Sequence, residues 1–380
     1  MPNSPTSSRL VQLHDSGQSL WLDFIDRTIL RNGDLARRIR DDALTGMTSN
    51  PTIFEKALAE GTAYDAQLAI AGTEPGITPQ ALFELVETDD VRAACGAFRP
   101  VYDATRGADG FVSIEVSPGV AGDATHTIEE ARRLWATVDC PNVMIKVPGT
   151  VEGARAVREL TAAGINVNIT LLFAVEAHAR VIEAFLAGLE DRVRAGLPVD
   201  HLASVASFFV SRVDTEVDKR LDALAAQRDD AGRARLAALK GKAAIANAKL
   251  AYRLFQQQFA GPRWTALANR GARVQRPLWA STSTKNPAYR DVMYVEQLIG
   301  PYTVNTLPPA TIEAFRDHGI VARTVDADVA GAEAVLRDLA AAGVSLASVT
   351  DQLLADGIAS FRKSYESVLA GLDRKAHALA

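Results

Sequence analysis

Apolar residues fall into eight short runs, each followed by a stretch patterned as a helix. The runs are LWLDFI (20–25), ALTGMTSN (43–50), FVSIEVSP (111–118), NVMIKVPG (142–149), INVNITLLF (165–173), LASVASFFVS (202–211), RPLWASTS (276–283) and YTVNTLP (302–308). Several are rich in Val, Ile and Phe and end on Gly, Pro, Ser or Asn, as strands buried on both faces do. Between them, 127–137, 151–163 and 176–187 space their apolar residues as amphipathic helices. Strand-helix alternation builds a parallel sheet with helices outside it. Eight such units predict an α/β fold of the closed (β/α)8 barrel type, which takes ~250 residues. The rival, a doubly wound open sheet, usually carries a G-x-G-x-x-G turn, and this sequence has none.

The remaining length predicts additional helices. Residues 56–109 read as several helices between the second and third strands, and 215–273 as a charged helical insertion after the sixth. The latter includes 233–259 with its Ala, Lys and Leu content, and the plain reading of this excess length is a solvated helical wrapper. The expected organisation is a single barrel domain over 1–380 that contains this insertion.

At 48% hydrophobic and 23% charged, the 380 residues exclude a disordered, collagen-like or disulfide-scaffold chain. A net charge of −5 gives no sign of a nucleic-acid partner. Cys95 and Cys140 cannot make a disulfide framework; they read as small packing residues in a reducing compartment. The longest uncharged stretches, 160–175 and 298–312, are too short to span a bilayer, and MPNSPTSSRL lacks the features of a secretory signal. The expectation is a cytoplasmic protein with no membrane partner.

In such barrels chemistry sits at the C-terminal ends of the strands. Polar residues there are Asp23, Asn50, Glu115, Lys146, Asn168, Thr170, Ser207 and Arg212, with Ser281, Ser283 and Lys285 in ASTSTKN. Side chains alternate along a strand, so Lys146 shares an inward face with Met144, and Asn168 with Thr170. A charged lysine inside a barrel is costly unless it is paired or its pKa falls. A lowered pKa suits attack on a carbonyl to form a Schiff base; an ion pair with Glu115 or Asp23 is the plainer alternative. Schiff-base chemistry also needs proton shuttles. Glu115 with Thr170 could hold a water for one, and Asp23 could serve the bond-breaking step. Asn50 and Asn168 would meet sugar hydroxyls, and Arg212 a phosphate. Plainer readings stand beside each: Asn50-Pro51 as a turn, Asp23 paired with Arg27, Arg212 solvated or salt-bridged, and ASTSTKN as turn chemistry. The six histidines show no metal-ligand spacing, and no C-x-x-C, G-x-S-x-G or P-loop occurs, so metal-free, cofactor-free chemistry is expected.

LWLDFIDR, GMTSNPTIF, FVSIEVSPG, NVMIKVPGT, GINVNITLLF and WASTSTKNP, in this order across most of the chain, together resemble the transaldolase family, in its longer bacterial branch. The resemblance implies a (β/α)8 enzyme of the pentose phosphate pathway. Such an enzyme moves a dihydroxyacetone unit from sedoheptulose 7-phosphate to glyceraldehyde 3-phosphate, giving erythrose 4-phosphate and fructose 6-phosphate. It implies Lys146 as the Schiff-base lysine, Asp23 as acid/base at the C4 hydroxyl, and Glu115 with Thr170 positioning a catalytic water. It further implies Asn50 and Asn168 as substrate ligands, with Ser207 and Arg212 keeping the family's spacing and Arg212 gripping the phosphate. Many members carry A-S-F-R-N, whose Arg is a second phosphate ligand; here Ser283 takes that position, so Ser281, Ser283 and Lys285 are read as sharing the task. Two rivals remain. One is an aldolase of the same family releasing free dihydroxyacetone, disfavoured because that branch has Tyr where Glu115 stands. The other is a non-catalytic sugar-phosphate-binding barrel, disfavoured because Lys146, Asp23 and Glu115 are all present. The expected assembly is a monomer or homodimer.

Overall fold

The computed structural model describes residues 8–59 and 61–379. Most of the N-terminal stretch read for signal features lies outside them. Eight strands close into a barrel in chain order. They are β1 (Gln18–Asp23), β2 (Leu44–Thr48), β3 (Phe111–Glu115), β4 (Val143–Pro148), β5 (Val167–Leu172), β6 (Ser204–Phe209), β7 (Gln275–Ala280) and β8 (Thr303–Leu307). Every strand overlaps one of the eight apolar runs. Each neighbouring pair is parallel, and β8 closes on β1 with Thr303 opposite Gln18, which rules out the open sheet. The runs are continuous because these strands are walled on both faces: every residue of β3 to β6 is buried.

The three expected helices appear as Ala124–Val138, Val151–Ala163 and Val175–Arg194. Between β2 and β3 lie helices Pro51–Ala59, Asp65–Ala71 and Pro79–Ala104. Between β6 and β7 lie Ser211–Ala225, Asp230–Ala237, Ala243–Gln258 and Pro262–Ala268. Residues 233–259 thus span parts of two helices. Gly241 takes a left-handed φ of +68° and donates its N–H to Asp218 Oδ1 at 3.1 Å, turning the chain between two helices. Ala243–Gln258 is solvated on part of its surface only. Ala244, Ala248, Ala251, Tyr252 and Phe255 form a buried stripe that packs the helix against Val175–Arg194 and β7. Small alanines allow that close approach, and charge content alone hid it.

The longest element without a counterpart in the sequence reading is the 34-residue helix Leu346–Leu379. It crosses the C-terminal ends of the strands, touching β5 and the helices at 51–59, 65–71, 79–104 and 211–225. Edge-to-face contacts of Phe83 with Tyr365 and with Phe54, both at 5.6 Å, anchor it. Among the described residues no helix is long and apolar enough to cross a membrane, and no cluster of three or more His, Cys, Asp or Glu could hold a metal ion.

Candidate active site

Strand register sets the first group. Glu115, Lys146 and Asn168 lie side by side on β3, β4 and β5. The Lys146 ammonium is 3.0 Å from Glu115 Oε2 and donates to the Ser49 carbonyl at 3.1 Å; both charged side chains are about 5% exposed. The ion pair offered as the plainer alternative is thus present, and it leaves the amine beside an acid/base able to take its proton. Burial raises the Glu115 pKa above the ordinary value, opposed by the field of Lys146. Thr170, next but one to Asn168, is fully buried, and its hydroxyl has no protein hydrogen-bond partner. Just beyond it, Leu171 holds a left-handed φ of +59° and the β5–β6 register shifts. Such backbone costs of order 1–3 kcal/mol and clusters at functional sites.

Asp23, half-buried at the end of β1, accepts a hydrogen bond from Thr48 Oγ1 at 2.8 Å, and Thr48 meets Thr306 at 2.6 Å. Burial raises its pKa; Lys146, the Thr48 hydroxyl, Arg212 and Lys285 pull it down. Three cations from three segments therefore bear on one carboxylate. The alternative pairing of Asp23 with Arg27 is not made. Arg27 turns away to Asp90, at 2.8 Å, with its guanidinium 4.4 Å from the Tyr64 ring and the Tyr64 hydroxyl donating to Asp90.

Neutral polar groups line the wall between. Ser207 Oγ donates to Asn168 Oδ1 at 2.6 Å, and Asn168 Nδ2 donates to Ser113 Oγ at 2.9 Å. Ser207 thus holds Asn168 in place, leaving one amide N–H of Asn168 uncommitted. Asn50 caps the 51–59 helix, its Oδ1 accepting the Ile53 N–H at 3.0 Å, so the turn reading holds while the amide NH2 stays available.

Arg212 occupies the first turn of the 211–225 helix, where the helix dipole favours an anion. Its guanidinium lies 5.3 Å from the Phe209 ring and has no carboxylate ion pair among the described residues; burial lowers its pKa, opposed by Asp23. Ser281, at φ +55°, binds Ser211 through both its carbonyl (2.9 Å) and its hydroxyl (3.0 Å), fixing the start of that helix. Exposed Lys285 donates to Ser283 Oγ at 2.8 Å.

The sequence reading missed Ser49, Thr48, Thr306, Ser113, Thr282 and Phe361. Thr282 is buried and donates to Asn305 Oδ1 at 2.9 Å. Alternation from Glu115 reaches Ser113, and nothing local marks the others. Phe361, on the 346–379 helix, sets its ring 5.8 Å from the Lys146 nitrogen. A gap of about 10 Å³ is left between that ring, Glu115, Pro148, Leu171 and Ile358. A larger cavity of about 730 Å³ opens at the opposite end of the barrel, by Met144, Ser204, Arg276 and Tyr302. None of the residues above lines it, so size does not mark the chemistry here.

Known proteins match this sequence over nearly its full length. The family model described as Transaldolase/Fructose-6-phosphate aldolase matches residues 20–372. A transaldolase of Thermobifida fusca is 49% identical over 374 residues, covering 98% of this chain and 99% of its own. Transaldolase 2 of Nostoc is 45% identical over 377 residues (98% and 99%), and a transaldolase of Acidothermus cellulolyticus 47% over 366 (96% of each). The chain belongs to the transaldolase/fructose-6-phosphate aldolase family and is an enzyme of the transaldolase type.

Proposed function

We propose that transaldolase activity in this chain runs through a Schiff base on Lys146, with sedoheptulose 7-phosphate as donor and glyceraldehyde 3-phosphate as acceptor. Lys146 gives its proton to Glu115 and attacks the ketose C2 carbonyl. Glu115, with a water also held by the Thr170 hydroxyl, returns a proton as hydroxide leaves the carbinolamine. Asp23 takes the C4 hydroxyl proton, the C3–C4 bond breaks, and its electron pair passes into the iminium to give an enamine. Erythrose 4-phosphate departs. The enamine carbon then attacks the acceptor aldehyde, Asp23 returns the proton, and hydrolysis releases fructose 6-phosphate.

Asn50 and Asn168 bind sugar hydroxyls in this reading, with Ser207 orienting Asn168. Arg212 grips the phosphate, assisted by Ser283 and Lys285, while Ser281 steadies the helix that presents Arg212. The reaction is cytoplasmic and uses no cofactor, metal, nucleic-acid or membrane partner.

The observation that carries the reading is the buried Lys146 amine 3.0 Å from Glu115, in a mouth where Asp23 feels three cations. The test is intact mass after incubation with fructose 6-phosphate and borohydride, followed by peptide mapping. One reduced dihydroxyacetone adduct on the Lys146 peptide, lost in Lys146→Ala, is expected. A folded protein with no adduct, or with one that persists in Lys146→Ala, overturns the mechanism.

A further inference from the structure

Two carboxylates one turn apart on the 211–225 helix make the same kind of double bond to the same two neighbours. Asp214 Oδ1 accepts the Ala244 N–H at 2.8 Å, and its Oδ2 the Tyr294 hydroxyl at 2.9 Å. Asp218 Oδ1 accepts the Gly241 N–H at 3.1 Å, and its Oδ2 the Tyr289 hydroxyl at 2.5 Å. Positions four apart share a helix face, so both carboxylates look the same way. One neighbour is the turn into the 243–258 helix, within the insertion. The other is the segment between β7 and β8 that also carries Ser283 and Lys285. Asp214, Asp218 and Tyr294 are buried and Tyr289 is half-buried.

Residues 281–289 are thereby anchored at both ends. Ser281 binds Ser211 at the entry, and Tyr289, four residues past Lys285, binds Asp218 at the exit. The loop also braces itself: Thr284 Oγ1 donates to the Arg290 and Asp291 carbonyls, both at 3.0 Å, and Asn286 Oδ1 accepts the Ala288 N–H at 2.9 Å. Lys285 is exposed, yet its charge is felt by Asp23 at the barrel mouth. A long, rotamer-rich side chain serves a fixed point well only when its backbone is held.

The seat is shaped for the tyrosine. Gly241 holds φ +68°, and a Cβ there would lie 2.8 Å from the Tyr289 ring. Burial and then Asp218 raise the Tyr289 pKa, so the phenol stays a donor. A phenylalanine would fill that seat equally well; the hydroxyl is what ties the loop to the insertion.

We propose that the Tyr289–Asp218 bond is a positioning device for phosphate recognition, holding the loop so that Lys285 meets the substrate phosphate; this rests on the reading of Lys285 as a phosphate ligand. The helical insertion supplies Asp218 and, through the Gly241 turn, aims it. The insertion thus belongs to the specificity apparatus and does more than cover the barrel.

The test compares full-length wild type, Tyr289→Phe, Lys285→Ala and the double variant on fructose 6-phosphate and on unphosphorylated fructose. Unphosphorylated glyceraldehyde is the acceptor, so that the donor carries the only phosphate. Tyr289→Phe keeps the Asp214–Tyr294 bond and the Arg290–Glu296 pair at 2.9 Å, and should fold. It should raise KM for fructose 6-phosphate about three- to tenfold at near wild-type kcat, and leave kcat/KM on fructose unchanged. Added to Lys285→Ala, it should have no further effect. An unchanged KM in Tyr289→Phe beside a raised KM in Lys285→Ala would overturn the positioning role and leave Lys285 on the phosphate. An unchanged KM in both would remove Lys285 from the phosphate, and the proposal with it. Equal losses on both sugars, additive losses in the double variant, or a Tyr289→Phe chain that fails to fold would make the bond a general brace and overturn the proposal too.

Discussion

Replacing Phe361 separates two services that one ring performs at the reacting lysine. The ring is about 5% exposed, and its centroid is 5.8 Å from the Lys146 nitrogen, at the outer edge of cation–π range. At that distance it is worth about 1 kcal/mol to a cationic iminium, or roughly fivefold in rate. The same ring bounds the gap of about 10 Å³ beside Glu115, at the lower limit of the roughly 10–15 Å³ that one water needs. Phe361→Leu removes the π face and keeps most of the volume; Phe361→Ala removes both and opens room for several waters beside the enamine. Truncating a buried Phe costs about 3–5 kcal/mol. With roughly 2.1 cal/mol/K per residue of unfolding entropy, that is a fall of about 4–6 °C in Tm, so assays at moderate temperature address folded enzyme. The assay supplies fructose 6-phosphate with a limiting aldehyde acceptor and compares free dihydroxyacetone with transferred product. Both variants should transfer about fivefold more slowly. Only Phe361→Ala should raise the ratio of release to transfer, by roughly tenfold, equivalent to about 1.4 kcal/mol off the hydrolysis barrier. A folded Phe361→Ala enzyme with the wild-type ratio would refute water exclusion by the ring.

Asp90→Asn strands the buried Arg27 charge and should cost about 3–5 kcal/mol, or roughly 4–6 °C in Tm; an unchanged thermal melt would show that the Arg27–Asp90 pair is dispensable. Burial lifts the Asp214 carboxyl to about 6, although the Ala244 N–H and the Tyr294 hydroxyl both donate to it. Its folded pKa is raised, so its contribution is complete below the unfolded value and is lost as pH rises through about 6, some 3 kcal/mol in all. Urea melts of Asp214→Asn should therefore lose that slope between about pH 4 and 7, and an unaltered slope would assign it to other groups. Arg212→Ala should raise KM for fructose 6-phosphate by about 10–150-fold, the worth of a charged hydrogen bond of roughly 1.5–3 kcal/mol, while sparing unphosphorylated fructose. Equal losses on both sugars would remove Arg212 from the phosphate site.

Much of the barrel was legible because strands enclosed on both faces leave unbroken apolar runs, and eight of them are hard to fit to another fold. Lys146 and Glu115 stood out for the same reason, since a charge inside such a run must have a partner or a task. Their pairing was open until register set them side by side. Thr48, Thr306 and Thr282 were invisible because a hydroxyl at a strand end is ordinary β chemistry until its partner, in Thr282's case Asn305, is known. Phe361 was missed because nothing in its own segment points to a lysine 215 positions earlier. Asp90 lies 63 positions from Arg27, so no local pattern could prefer it to Asp23. Residues 233–259 did not declare their buried face because alanines compatible with a solvated face serve equally well for tight packing.

The helix at 346–379 also imposes an order on biosynthesis. Its partners at 51–59, 65–71 and 79–104 leave the ribosome long before it, and all eight strands precede it. Contacts between segments this distant are formed at a high cost in loop closure and belong to the slow part of folding. A nascent chain that has completed β8 already holds Lys146, Glu115 and Asp23 but has not yet made Phe361. Translation arrest or cleavage before residue 346 would therefore leave the lysine without its cover. Full transfer activity should thus arise only after the barrel itself has closed.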